Sequence, residues 1–328
     1  MLLPARDAEA TIDAAIASIR GQTFSDFELL AVDDGSTDAT PSRLERHAQE
    51  DERIQLVSTG GVGLVGALNQ ALEASRAPLL ARMDADDESH PRRLEASLAW
   101  LDAHPELAGV GTGVEIFRDD RPPSPNLVAY GRWLSSLTTP EALFRDRFVE
   151  SPLCHPSVLL RKAPVQALGG WRDGDYPEDW ELWLRLLEGG HHLACVPEIL
   201  HRWRDREERL TRTDPRYRWT QHVALKADFL ARRFEGVPLV LWGATRTGRT
   251  LSKALGARSA RVAGFVELDP RKLGQSIHGV PVVPPDRLET LGPAHVLSCV
   301  AAKGAREDIR EWMATHGRVE GRDFTVVA

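Results

Sequence analysis

The first half of the chain alternates short apolar runs with amphipathic stretches, and this alternation restricts the fold more than any other feature. MLLPA, FELLAV, RIQLVST and APLLARM have the length and content of strands. Between them, EATIDAAIASIRGQ carries Ile12, Ile16 and Ile19 at helical spacing and stops at Gly21. TPSRLERHAQED has Pro41 near its start, LVGALNQALEAS follows a glycine-rich loop, and PRRLEASLAWLDAH runs out before Pro105. Such repetition predicts an α/β fold with a mostly parallel sheet flanked by helices. Ligands bind these sheets at the carboxyl ends of the strands. VDDGS and MDADD both fall at such ends.

The middle is less regular. RDDRPPSPNL, with three prolines, reads as a loop. PEDWELWLRLLEGG reads as a helix: Trp180, Trp183, Leu184 and Leu187 follow the i, i+3, i+4, i+7 pattern, and Gly189 and Gly190 close it. EERLTRTDPRYRW is polar with no clear core face, and TQHVALKADFLARRF is helical again. A break near FEGVP divides the chain into domains 1–233 and 234–328. The second is a small α/β unit opening with PLVLWGATRTGRTLSKALGA, followed by RVAGFVEL, GVPVV, AHVLSCVA and the helix AREDIREWMATHG.

Composition removes several classes. A net charge of -7 argues against a nucleic-acid partner. Cys154, Cys195 and Cys299 are far apart and form no CxxC, which argues against a disulfide framework or a zinc site. Apolar runs such as VPLVLW are too short to span a bilayer, and the N-terminus has no signal-peptide pattern. A cytoplasmic location is expected, compatible with peripheral contact at the inner face of a membrane.

Two acid clusters carry the chemistry. Asp33 and Asp34 end the second strand; either they open a turn in which Ser36 or Thr37 caps the next helix, or they accept hydrogen bonds from a ribose or base. In an extended MDADD, Asp84 and Asp86 share a face and Asp87 points elsewhere. Mg²⁺ and Mn²⁺ prefer such oxygen ligands, and Mg²⁺ is commonly held by one or two carboxylates plus substrate phosphates. Asp87, Glu88 or Ser89 alternatively caps the helix beginning near Pro91.

VDDGSTD, then ARMDADD some fifty residues on, then PEDWELWLRLLEGG resemble the family 2 glycosyltransferases of GT-A fold, as does GQTFSDFELL. The resemblance covers residues 1–233. It implies an inverting enzyme that uses a nucleotide-diphosphate sugar, commonly a UDP-sugar, with Mn²⁺ or Mg²⁺. The expected acceptor is a glycan or lipid-linked hydroxyl in cell-surface polysaccharide synthesis. By match, Pro4, Ala5, Arg6 and Asp7 form the first nucleotide-facing loop and Asp34 binds the base, beside Asp33. Asp86 is the direct metal ligand with Asp84, Asp87 lies beside the sugar or phosphate, and Asp179 is the catalytic base. The chain departs from the pattern at Arg6-Asp7, where relatives often have an aromatic residue and Asn. LHRWR keeps Arg202-Trp203 but lacks the Gln of Q-x-x-R-W, and Arg202 or Arg204 is placed to neutralise the leaving diphosphate.

Glycosyl transfer requires a base for the acceptor hydroxyl and positive charge for the leaving diphosphate. Asp179 begins the Trp-rich helix, where capping and the helix dipole favour acids anyway. Glu178 and Glu181 compete with it. SPLCHPSVLLRK is the expected acceptor side, where His155 could touch the acceptor, the metal or nothing, and Trp171 in GGWRD could stack on a sugar face or equally belong to the core. In the second domain, VLWGATRTGRT is a near miss to two phosphate-binding motifs. Gly243 and Gly248 fit a dinucleotide fingerprint, but Thr245 replaces its middle glycine; Arg249 stands where a P-loop needs lysine. Glu267 and Asp269 sit where a ribose-binding acid belongs. GFVELDPRKLGQSIHGVPVV resembles the Rossmann-like subdomain in front of some bacterial sugar acyltransferases, and a docking module is the alternative. Two rival functions follow: a nucleotide-sugar-dependent oxidoreductase and a non-catalytic sugar-nucleotide-binding module.

Overall fold

A computed structural model describes residues 1–328, which divide into two compact units. The first comprises 1–144, 152–174 and 178–213. It opens with β1 (Leu2–Ala5), α1 (Ile12–Arg20), β2 (Leu29–Asp33), α2 (Thr40–Glu50), β3 (Ile54–Ser58) and α3 (Gly63–Ala74). β1, β2 and β3 pair in that order, all parallel. Ile12, Ile16 and Ile19 are fully buried, as their spacing requires, and pack α1 against Leu3, Leu29 and Ala31.

β4 (Leu79–Ala81), β5 (Glu88–Ser89), α4 (Arg93–Ala103), β6 (Leu107–Phe117), α5 (Pro125–Ser136), α6 (Pro140–Asp146), β7 (Leu159–Arg161), α7 (Lys162–Ala167), α8 (Glu178–Glu188), β8 (His192–Arg204) and α9 (Leu210–Thr213) follow. The five strands run β4-β7-β6-β8-β5; β6 and β8 are parallel and the other pairs antiparallel. A parallel bridge from Leu2 to Arg82 continues the line from β1 to the end of β4. The sheet is therefore parallel where strands and helices alternate and mixed where they cease to.

Two local expectations are corrected. The proline-rich span is not loop throughout: Ser124 accepts from Leu127 N–H and starts α5 at Pro125, a first-turn position proline tolerates. Glu88 and Ser89 do not begin or cap α4; they form β5 against β8.

The second unit contains 145–151, 175–177 and 214–328. Its elements are α10 (Trp219–Arg233), β9 (Leu239–Trp242), α11 (Arg246–Gly256), β10 (Val262–Val266), β11 (Ser276–Ile277), β12 (Val280–Val283), β13 (His295–Ser298), α12 (Ala305–Thr315) and β14 (Phe324–Val326). The strand order is β11-β12-β10-β9-β13-β14, parallel except at β11. Relative to a division at 233/234, α10 changes sides. Its buried Lys226 donates to the Val149 and Val327 carbonyls within this unit.

The β9–α11 turn is self-satisfied. Thr245 caps α11 by accepting from Gly248 N–H and donates to the Cys299 carbonyl. Glu267 accepts from Ala244 N–H and pairs with Lys272. A Cβ on Gly248 would lie 2.1 Å from the Gly243 carbonyl oxygen, so the glycine serves close packing of the turn.

Candidate active site

After β4 the chain bends instead of continuing extended. Asp87 N–H approaches the Asp84 carbonyl at 3.5 Å, and carboxylate oxygens of Asp84, Asp86 and Asp87 all lie within 4.8 Å of one another. This corrects the face-alternation expected of MDADD: a turn, unlike a strand, brings all three acids together. Asp84 pairs with the buried Arg82. Asp86 accepts from Arg206 Nη2 at 3.2 Å, and its backbone carbonyl accepts from Arg204 Nε at 2.7 Å. Asp87 is buried, accepting from His201 Nε2 and Arg204 N–H, each at 2.8 Å.

The electrostatics follow from this crowding. Burial, then repulsion by Asp87 and Asp84, pushes the Asp86 carboxyl upward against the pull of Arg206 and Arg209. Asp87 is pushed the same way by burial and by Asp84. These oxygen donors suit a hard divalent cation, which would relieve the repulsion. Asp84 and Asp86 remain partly open and are the residues able to meet it, whereas Asp87 braces the turn from below.

The end of β8 supplies most of the counter-charge. Arg202 is half-exposed and committed to Glu88 and Glu115, over the Phe117 ring. Trp203 packs with Tyr130 and lies under Arg209. Arg204 spans Asp86, Glu88 and Asp119. Buried Asp205 gathers Arg118, Arg209 and Arg212. Arg82, His201, Asp205 and Arg206 were not legible as site residues. The available signal was an arginine inside the apolar run APLLARM, since buried charges require partners.

Around the first acid pair, Asp34 is buried and accepts from Thr59 Oγ1 at 2.5 Å, Val62 N–H at 2.7 Å and Gly63 N–H at 2.9 Å. It therefore clamps the loop leading into α3. Gly35, at φ +72°, sits so close that a Cβ would lie 3.0 Å from the Gly61 nitrogen. Asp33 is half-buried and accepts from Ser36 N–H at 3.2 Å. Pro4 and Ala5 are buried strand residues, while Arg6 is exposed. Asp7, at φ +48°, accepts from Thr37 N–H at 2.8 Å and joins the first loop to the DDGSTD turn.

The first turn of α8 carries Glu178, Asp179 and Glu181. Glu181 is buried and bonded to Arg185 at 2.7 Å. Glu178 is buried 3.6 Å from His155 Nδ1. Trp171 Nε1 donates to His155 Nε2 at 3.1 Å, so both rings belong to the structure beneath the site. From Pro177 to Leu187, Asp179 alone is not buried. Arg82, buried and paired with Asp84, also lies within electrostatic reach of Glu178 in this turn. Burial opposes its charge, but Asp84, then Glu178 and Asp87, outweigh that and hold its pKa above the ordinary arginine value.

The profile of glycosyl transferase family 2 matches residues 1–169. The chain belongs to this family. EpsE of Bacillus subtilis is 32% identical over 60% of this chain and 69% of its own length. The O-antigen biosynthesis glycosyltransferase WbnJ of Escherichia coli is 29% identical over 54% of this chain and 66% of its own. Among solved structures, S. aureus TarS in complex with UDP-GlcNAc superposes with a TM-score of 0.57 at 16% identity, over 78% of this chain and 70% of that one. At that identity the likeness establishes the fold, a GT-A type α/β architecture. No helix of this glycosyltransferase family 2 chain is long and apolar enough to cross a membrane.

Proposed function

We propose that this chain is an inverting glycosyltransferase that moves a sugar from a nucleotide-diphosphate sugar, with UDP-sugars the first candidates. The acceptor is a hydroxyl of a glycan or lipid-linked intermediate in cell-surface polysaccharide synthesis, met at the cytoplasmic face of the membrane. The observation carrying this reading is the convergence of Asp84, Asp86 and Asp87 within 4.8 Å, beside the buried Arg82 that pairs with Asp84. WbnJ's role in O-antigen biosynthesis and the UDP-GlcNAc bound to TarS support the acceptor and donor classes.

Asp84 and Asp86 would hold Mn²⁺ or Mg²⁺, which would supply positive charge to the leaving diphosphate. Asp179 takes the acceptor hydroxyl proton: it is the acid of its turn that keeps access to water. Glu178 stays below it, held by His155. The base-binding role expected of Asp34 passes in this reading to the half-buried Asp33, because the Asp34 carboxylate is already spent on Thr59, Val62 and Gly63 and holds the 59–63 loop. Arg6 is the exposed group of the first loop. Arg204 stiffens the acid turn through the Asp86 carbonyl, and Arg202 lies at its outer edge.

For the second unit we infer a docking role over dinucleotide binding, because Thr245 and Glu267 already occupy turn amides that would meet a pyrophosphate. The test is a panel of nucleotide sugars with Mn²⁺ and lipid-linked or glycan acceptors, following nucleotide release and NAD(P)H absorbance. Release that stops on chelation, with no absorbance change, is the expected result. Absorbance change without sugar transfer would replace this reading with an oxidoreductase.

A further inference from the structure

The arginines that end and follow β8 are not equivalent. Arg202 is tied to Glu88 and Glu115, Arg204 to Glu88, Asp119 and the Asp86 carbonyl, and Arg209 and Arg212 to buried Asp205. Arg206 instead makes a single ion pair, from Nη2 to Asp86 Oδ2 at 3.2 Å. Its Nε is buried without a hydrogen-bond partner, and its side chain is one-third exposed. A guanidinium usually uses its fork to grip a carboxylate at two points. Here one N–H meets the carboxylate and another is wasted, so Arg206 is held weakly while its neighbours are locked.

The carboxylate it holds is the one the cation needs. A guanidinium and a divalent ion on the same carboxylate repel each other, so their binding is mutually exclusive or strongly opposed. We propose that Arg206 is the resident counter-ion of Asp86, and that it must swing off this carboxylate before a divalent cation binds. The inference rests on the cation-dependent reading above. Asp205, just before Arg206, is gripped by Arg209 and Arg212 just after it, so the backbone around Arg206 is tied down while its side chain keeps one ion pair.

The test is Mn²⁺ binding to the full chain without nucleotide, read by the electron paramagnetic resonance signal of free Mn²⁺. Arg206→Gln removes the competing cation and is expected to bind Mn²⁺ about fivefold tighter, the scale of a partly exposed ion pair. Arg209→Gln deletes the same charge nearby but leaves Asp86's partner in place, and is expected to change affinity less than about twofold. Arg206→Lys keeps the charge without the fork and falls between wild type and Arg206→Gln. Thermal melts of each variant report folding. Unchanged or weaker binding by a folded Arg206→Gln overturns the inference, as does equal tightening by both glutamine variants, which would reduce it to net charge. If neither wild type nor any variant binds Mn²⁺, either alone or with UDP added to supply the phosphates, the cation site itself is refuted, and this inference with it.

Discussion

Replacing Arg82 with methionine should destabilise the first unit by about 3 kcal/mol, the lower end of the cost of breaking a buried ion pair. The side chain of Arg82 is 4% exposed and faces Asp84, whose side chain is 32% exposed. Asp84 can regain some water after the change, which discounts the penalty. Glu178 and Asp87 cannot, because both are buried and both lie within electrostatic reach of the lost cation. For a unit of this size the loss corresponds to a melting shift of roughly 6–12 °C. A double-mutant cycle isolates the pair: adding Asp84→Asn to Arg82→Met should recover about 1–2 kcal/mol relative to additivity. Calorimetry on the four proteins gives all terms. A melting point for Arg82→Met within about 2 °C of wild type, or strict additivity, would show that Arg82 is not the buried counter-ion of Asp84.

Asp34→Ala should cost about 2 kcal/mol, since Val62 and Gly63 N–H lose their shared acceptor, and should raise the donor KM more than it lowers kcat; the reverse split would place Asp34 in the chemistry. The second unit should lose stability in acid. His295 is buried against Phe234, and burial lowers its pKa from 6.5 to about 4. The unfolded chain therefore binds the proton first, so stability is complete above about 6.5 and falls by about 3 kcal/mol as pH drops toward about 4. His295→Gln should flatten that slope in pH-dependent melts, and an unchanged slope would assign it elsewhere. Gly248→Ala should unfold the second unit or cost more than about 3 kcal/mol, because the added carbon meets backbone rather than a side chain able to move.

What was legible in the sequence follows from physical range. Local periodicity placed α1 and α8 correctly because Ile12, Ile16, Ile19 and the Trp180–Leu187 face need only their own helix to declare a buried side. The acids were identified, but their geometry was not: 84–87 form a turn set by contacts with Arg204 and His201, more than a hundred residues away, which no local pattern encodes. Polar character hid 205–213, because its order comes from Asp205 gathering arginines and not from an apolar face. Near α10 the break in composition lies at 234, yet the helix is held by Lys226 reaching distant carbonyls, so the compact units part earlier. Local sequence leaves Trp171 open to a sugar face or the core; its buried indole N–H is spent on His155, which favours the core.

The most direct test of the account is Asp179→Asn, with sugar transfer and donor binding measured on the same preparation. Because Asp179 is proposed to act on the acceptor proton alone, kcat should fall by about 10²–10⁴-fold while the donor dissociation constant with Mn²⁺ stays within about twofold of wild type. Turnover equal to wild type, or a loss of donor binding that accounts for the whole effect, would contradict it.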